Sequence, residues 1–120
     1  MSFAEPEFEL QEEEIDEKTH VITVRGEIHV STARDFSERL TAAIQQGKRA
    51  VILDLSDVEF IDSTGLSVLL NGLRRVVRAG GRLVLVCANP TVMRLFEITR
   101  LDSTFEIVSA REEALARVRA

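Results

Sequence analysis

Residues 60 to 66 read FIDSTGL, which sets an acid, two hydroxyls and a glycine side by side between apolar neighbours. Three kinds of chemistry suit Asp62, Ser63 and Thr64. Any one of them can cap a helix, since a side-chain oxygen that accepts from a free amide of the first turn is worth about 1 kcal/mol over Ala. A serine at a helix N-terminus can also carry a phosphate, because the free amides and the dipole there favour an anion. A serine on a strand-turn-helix corner can act as a nucleophile if a base and an orienting group stand beside it. That third chemistry fits worst: DSTGL is not G-x-S-x-G, and neither His20 nor His29 has a clear claim to be the base. Capping and phosphorylation both stay open on these residues alone. One cap suffices for one helix, however, and three polar residues exceed that need. Gly65 adds to the surplus. In the first turn it costs up to ~1 kcal/mol against Ala, and it suits a position where another backbone or a nucleotide comes close.

Other reactive groups are sparse. There is no Walker loop and no G-x-G-x-x-G. The two histidines are too few and too isolated for a metal site, and each is expected as a lone surface side chain. Cys87 is the only cysteine and lies in the run LVLVCA, so it is expected as a small core residue. It permits no internal disulfide, which fits a reducing cytosol. Asp54 follows a short apolar run, as the phospho-acceptor of a receiver domain does. Receivers also need an acidic pair after the first strand, where TVRGEIHV offers only Glu27, and a lysine after the last, where SAREE has none. Asp54 is therefore expected to end its strand and meet solvent or a backbone amide.

At 120 residues the chain makes one domain, and its 45% hydrophobic content supports a core of Phe, Leu, Ile and Val without Trp or Tyr. The net charge of −5 argues against nucleic acid, which needs a basic patch. The acid is concentrated early, in EPEFELQEEEIDEK, whereas the later helical stretches carry arginines such as Arg74, Arg75 and Arg78. No signal-peptide core and no run near the ~20 apolar residues of a membrane span is present, so a cytoplasmic protein without membrane contact is expected.

The elements that must position FIDSTGL follow from the apolar period. Residues 8–13 alternate as a half-buried strand, DEKT turns, and HVITVRGEI is a second strand, close enough for a hairpin. Ala33, Phe36, Leu40, Ala43 and Ile44 then fall at helical spacing, with Ser31 or Thr32 to cap and Gly47 to stop. AVILDLS is a buried strand. STGLSVLLNGLRRVVRAGG is a helix whose stripe is Leu66, Leu69, Leu70, Leu73, Val76 and Val77. RLVLVCA is a strand, Pro90 opens a short helix, and TFEIV is a last strand. Ser109 and Glu112 form a capping-box pattern before a terminal helix through Val118. The order β-β-α-β-α-β-α-β-α predicts an α/β fold with a largely parallel sheet, made mixed by the opening hairpin. Residues 1–7 are expected as a variable tail and residues 8–120 as the domain.

The segment from LDLSDVEFIDSTGLSVLL through FEIV strongly resembles the anti-sigma factor antagonists, bacterial single-domain proteins of the STAS fold. DSTGL after a short apolar strand is the specific part, RLFEITRL is a second family-like segment, and VRGEIHVSTARDFSERL resembles the G-E-[IL]-D segment and first helix. The resemblance implies a partner-switching cycle. The unphosphorylated antagonist binds an anti-sigma factor serine kinase of the histidine-kinase-like ATPase fold and frees a sigma factor. The kinase phosphorylates the serine that matches Ser63, and a PP2C-type phosphatase resets it. Asp62 and Thr64 match the flanking motif positions, and Asp62, Ser63, Thr64, Gly65, Leu66 and Ser67 would face the kinase. ATP and Mg²⁺ belong to the kinase, so no cofactor, metal or catalytic residue is expected in this chain. His29 departs from the family, which usually has Asp after G-E-[IL]. Two rival readings have their own marks: the STAS subunit of a lipid-transport ATPase, against which the clean DSTG acceptor argues, and a small nucleotide-binding hydrolase, for which no phosphate loop is present.

Overall fold

The computed structural model describes residues 8–119; the proposed tail, residues 1–7, lies outside them. The elements follow the order that the apolar period implies. They are β1 (Glu9–Glu14), β2 (Thr19–Ile28), α1 (Ala33–Gln45), β3 (Ala50–Ile61), α2 (Ser63–Arg78), β4 (Arg82–Val86), α3 (Pro90–Ile98), β5 (Glu106–Val108) and α4 (Arg111–Arg119). The five strands form one sheet in sequential order, with β1 antiparallel to β2 and every other pair parallel.

Period-2 alternation sorts the sheet into two faces. Ile22, Val24, Val51, Leu53, Leu83 and Leu85 share the larger core with Phe36 and Leu40 of α1, Leu69 and Val76 of α2, and Val92 and Phe96 of α3. Val21, Ile52, Val84, Val86 and Val108 face the other way, against Ala114 and its neighbours on α4. Strands buried on both faces read as continuous apolar runs, which is why VIL and LVLV carry no polar alternation. Gly72 lets α1 and α2 approach closely, since a Cβ there would lie within overlap of the Leu40 side chain. Gly47, at φ +83°, stops α1 in a conformation that costs other residues a clash.

Four expectations change. First, β3 does not end near Ser56, and Asp54 is not its last residue. The strand runs seven residues past Asp54, paired only with β2 beyond that point. Its register against β2 slips twice: Thr23 pairs with Asp54 but Arg25 with Asp57, and Gly26 pairs with Val58 but Glu27 with Phe60. Each slip is one extra β3 residue, the signature of a bulge. The bulges rephase the strand, so Leu55, Val58 and Ile61, three residues apart, all reach the core. Asn89 then covers the overhang, its Nδ2 donating to the Val58 carbonyl at 3.1 Å. Asp54 does meet a backbone amide, as expected: its Oδ1 accepts from the amide and hydroxyl of Ser56, and its Oδ2 lies 3.6 Å from Arg111 Nε.

Second, His20 is not on the surface. It lies on the face of Ile22 and Val24, 7% exposed, with Nε2 3.0 Å from Glu12 Oε1. Burial alone would raise the Glu12 carboxyl, but hydrogen bonds from His20 and Arg39 outweigh it and hold the group below the usual carboxylate range. Third, Val77 leaves the α2 stripe and is exposed, because it falls about 100° round the helix from buried Val76. Fourth, neither proposed cap of α1 and α4 holds. Thr32 flanks α1 without a side-chain cap; its hydroxyl donates to the Glu27 carbonyl at 2.7 Å and accepts from the His29 amide at 3.0 Å, bracing the loop instead. Ser109 sits two residues before the first residue of α4, too early to cap it.

Candidate functional site

FIDSTGL lies where β2 and β3 end together, at the pair Ile28–Ile61. The Asp62 amide donates to the Ile28 carbonyl at 3.1 Å, so the β2–β3 ladder holds the corner to its last residue. Asp62 is extended, at φ −92° and ψ −177°, and its Oδ1 accepts from the Gly65 amide at 2.8 Å. The Leu66 amide donates to the Asp62 carbonyl at 2.9 Å, the first turn of α2. Asp62 is therefore the cap, and the choice among the three polar residues is made. Ser63 and Thr64 are the first two helical residues. Both are exposed, and neither hydroxyl has a hydrogen-bond partner among the described residues. Ser67 lies four residues on, exposed on the same face as Ser63, while Leu66 is half-buried against the core.

Gly65 is buried, and the neighbour that requires a bare Cα is this chain's own. A Cβ there would stand 2.7 Å from the Ile28 carbonyl oxygen and 2.8 Å from the Cγ2 atoms of Ile28 and Ile61. The first turn of α2 thus rests directly on the ends of β2 and β3, which fixes where Ser63 emerges. Chemically the corner offers a free hydroxyl at a helix N-terminus whose cap is already supplied by another residue. Ser63 can gain an anionic group there without the helix losing its cap.

Two large apolar side chains close to this corner along the chain are exposed. Val30, 71% exposed, lies two residues beyond Ile28, and Phe60, 45% exposed, lies three before Ser63. The signal for Phe60 was the three-residue spacing of Leu55, Val58 and Ile61, which implies a bulged strand with Phe60 outside it. For Val30 no local pattern stands out. His29 is half-buried in the same loop, its Nδ1 accepting from the Ser31 amide at 3.2 Å and its Nε2 3.9 Å from Glu27. Among the described residues no helix is long and apolar enough to cross a membrane.

Comparison with known proteins gives the family of the whole chain. The model of the STAS domain family matches residues 11–114. The anti-sigma-B factor antagonist of Staphylococcus aureus is 30% identical over 96 residues, which are 80% of this chain and 89% of that protein. The crystal structure of an anti-sigma factor antagonist from Mycobacterium paratuberculosis superposes with a TM-score of 0.86 at 30% identity, over 95% of this chain and 96% of that one. SpoIIAA, a Bacillus anti-sigma factor antagonist, is similar at 27% identity in two states. The TM-score is 0.75 to its unphosphorylated form, over 93% of this chain and 99% of that one, and 0.72 to its phosphorylated form, over 92% and 99%.

Proposed function

This chain belongs to the STAS domain family, among its anti-sigma factor antagonists, and on that premise we propose that Ser63 is the phosphorylation switch of a partner-binding module. The unphosphorylated protein binds an anti-sigma factor serine kinase through the corner Asp62–Ser67 and so releases a sigma factor. Transfer of the γ-phosphoryl group of the kinase's ATP to Ser63 ends the complex, and a PP2C-type phosphatase restores it. The protein is a regulator in this scheme, and the ATP chemistry is the kinase's.

One observation carries the reading: the Ser63 hydroxyl is exposed and unpartnered while Asp62 caps the helix. A serine kept for structure would be making that hydrogen bond itself. SpoIIAA, similar to this chain, has been solved in an unphosphorylated and a phosphorylated form, which supports a switch of this kind. Phe60, three residues before Ser63, supplies exposed aromatic surface of a type enriched at interfaces. Gly65 contributes from beneath, by seating the first turn.

Phosphate adds about −1.5 to −2 charges. In the free protein it sits in water at a helix N-terminus, where the dipole favours it. In the complex it must be desolvated beside Asp62 and near the nucleotide phosphates of the kinase. A penalty of about 3–4 kcal/mol would weaken binding by two to three orders of magnitude. The test is to incubate the protein with its kinase and ATP, map the phosphate by mass spectrometry, and titrate both forms against the kinase. Phosphate on Ser63 and a hundredfold or greater loss of affinity are expected. Labelling that persists in Ser63→Ala, or equal affinities for the two forms, defeats the proposal.

A further inference from the structure

Helix α2 departs from the charge of the rest of the chain. It holds three arginines and no acid, in a protein of net charge −5. Ser67, Asn71, Arg74 and Arg78 follow Ser63 at steps of four, four, three and four, so they lie along one face, and all are exposed. Between α1 and α2 this face opens into a groove of about 400 Å³ lined by Ser37, Val68, Asn71, Arg74, Arg75 and Arg78. Among the described residues no carboxylate lines it. Arg75 reaches across to α1, where its guanidinium donates to the hydroxyls of Thr41 and Ser37, both neutral, and its Nε is buried without a partner among the described residues. None of the three arginines has an ion pair among the described residues. Elsewhere the bases divide: Arg25, Arg39, Lys48, Arg82, Arg111 and Arg117 each lie beside a carboxylate, whereas Lys18, Arg34, Arg49, Arg94, Arg100 and Arg119 have none among the described residues.

We infer that the α1–α2 groove is the second half of the Ser63 interface and receives an acidic segment of the same kinase. This rests on the reading of the preceding subsection. Reach and charge both support it. A standard protein interface covers roughly 800 Å² on each partner, a patch roughly 32 Å across if round. Along the helix Arg74 lies roughly 16 Å from Ser63 and Arg78 roughly 22 Å. A partner that covers Ser63 and lies along α2 therefore meets both arginines. Guanidinium groups match carboxylates with paired hydrogen bonds, and unpaired ones at the edge of an interface mainly accelerate encounter. Phosphorylation would then abolish the contact at one end of the row while leaving the electrostatic guide intact at the other. The phosphorylated form could still be found by its phosphatase through the same arginines.

The probes are the histidine-kinase-like anti-sigma factors encoded in the genome that carries this chain, each purified and loaded with ADP. Association and dissociation rates are measured for the wild type and for Arg74→Glu/Arg78→Glu at 50 and 300 mM NaCl. Arg74→Ala/Arg78→Ala is run in parallel and gives the reading if the charge reversal does not fold. The expected result is association at least tenfold slower for the reversal at 50 mM salt, with the difference shrinking below threefold at 300 mM, and a smaller loss of the same kind for the alanine pair. If no kinase binds the wild type, the functional reading fails and this inference with it. If the wild type binds and both variants associate at its rate in both salts, the inference alone is overturned. It is overturned equally if inorganic phosphate shifts the Arg74 and Arg78 resonances with a sub-millimolar midpoint, which would make the groove a small-anion site.

Discussion

Asp62→Ala and Ser63→Ala alter neighbouring side chains of similar size, yet they should differ sharply in stability. Asp62 Oδ1 accepts the Gly65 amide at 2.8 Å, and Gly65 is buried, so truncation strands a donor with little access to water. Loss of a cap costs about 1 kcal/mol, within a range of roughly 0.5–2. The carboxylate also faces the positive end of α2, which adds about 0.3–1 kcal/mol. Together these give about 1.5–2 kcal/mol. A domain of this size loses roughly 3–6 °C of Tm per kcal/mol, so Asp62→Ala should melt roughly 5–12 °C below the wild type. Asp62→Asn keeps the acceptor and should recover more than half of that loss. Ser63→Ala removes a hydroxyl that has no partner and should stay within about 0.5 kcal/mol of the wild type. Thermal melts followed by circular dichroism, with urea titrations to check that the m-value is unchanged, measure all three. A Ser63→Ala loss equal to that of Asp62→Ala would refute the division of labour, because Ser63 would then be a structural residue and its free hydroxyl no guide to function.

Gly65→Ala gains up to ~1 kcal/mol of helix propensity but must move the Ile28 carbonyl, 2.7 Å from the new Cβ, at an overpacking cost of about 1–3 kcal/mol. A lowered urea midpoint is expected, and a wild-type midpoint would show that the first turn has room to spare. Leu69→Ala, on a side chain with no exposed surface, should cost about 2–5 kcal/mol, and half-buried Leu73→Ala clearly less; the reverse order in urea would mean that α2 is rotated from the face described. Acid should unfold the protein through paired carboxylates. Glu106 is held below the usual range chiefly by the Arg82 hydrogen bond and Glu14 by that of Lys48, while burial opposes but does not cancel the lowering of Glu12 by His20 and Arg39. Folded values below unfolded ones mean that this stability is fully present above the ordinary carboxylate range and lost as pH falls through the lowered values. Tm should hold steady from pH 7 to about 5 and fall below about pH 4. A profile flat to pH 3 would show that these pairs contribute nothing.

The order of elements, the mixed sheet and the helix that opens at Ser63 were legible in the sequence, because each depends on a local period that solvent imposes. Apolar residues at 2 or 3.6 must face inward whatever the neighbours are. The candidate corner was legible too, since an acid, two hydroxyls and a glycine at a strand-to-helix change exceed what a cap requires. Their separate duties were not. Asp62 caps and Ser63 is free because the Asp62 amide is pinned to the Ile28 carbonyl, a residue of another strand, which leaves Asp62 extended and Ser63 already helical. Gly65 answers to Ile28 and Ile61 together, a contact that exists only once β2 and β3 are paired. The length of β3 was hidden because its two bulges break the alternation that marks a strand. His20 read as a surface residue because a polar side chain can enter a core when Glu12, on the neighbouring strand, meets it there. The groove between α1 and α2 gathers its arginines against Ser37 and Thr41, more than thirty residues away in the chain. Local period determines which residues turn inward. Which polar group then meets which is decided by pairing between segments distant in sequence, because a hydrogen bond requires both partners in place and a period describes only one.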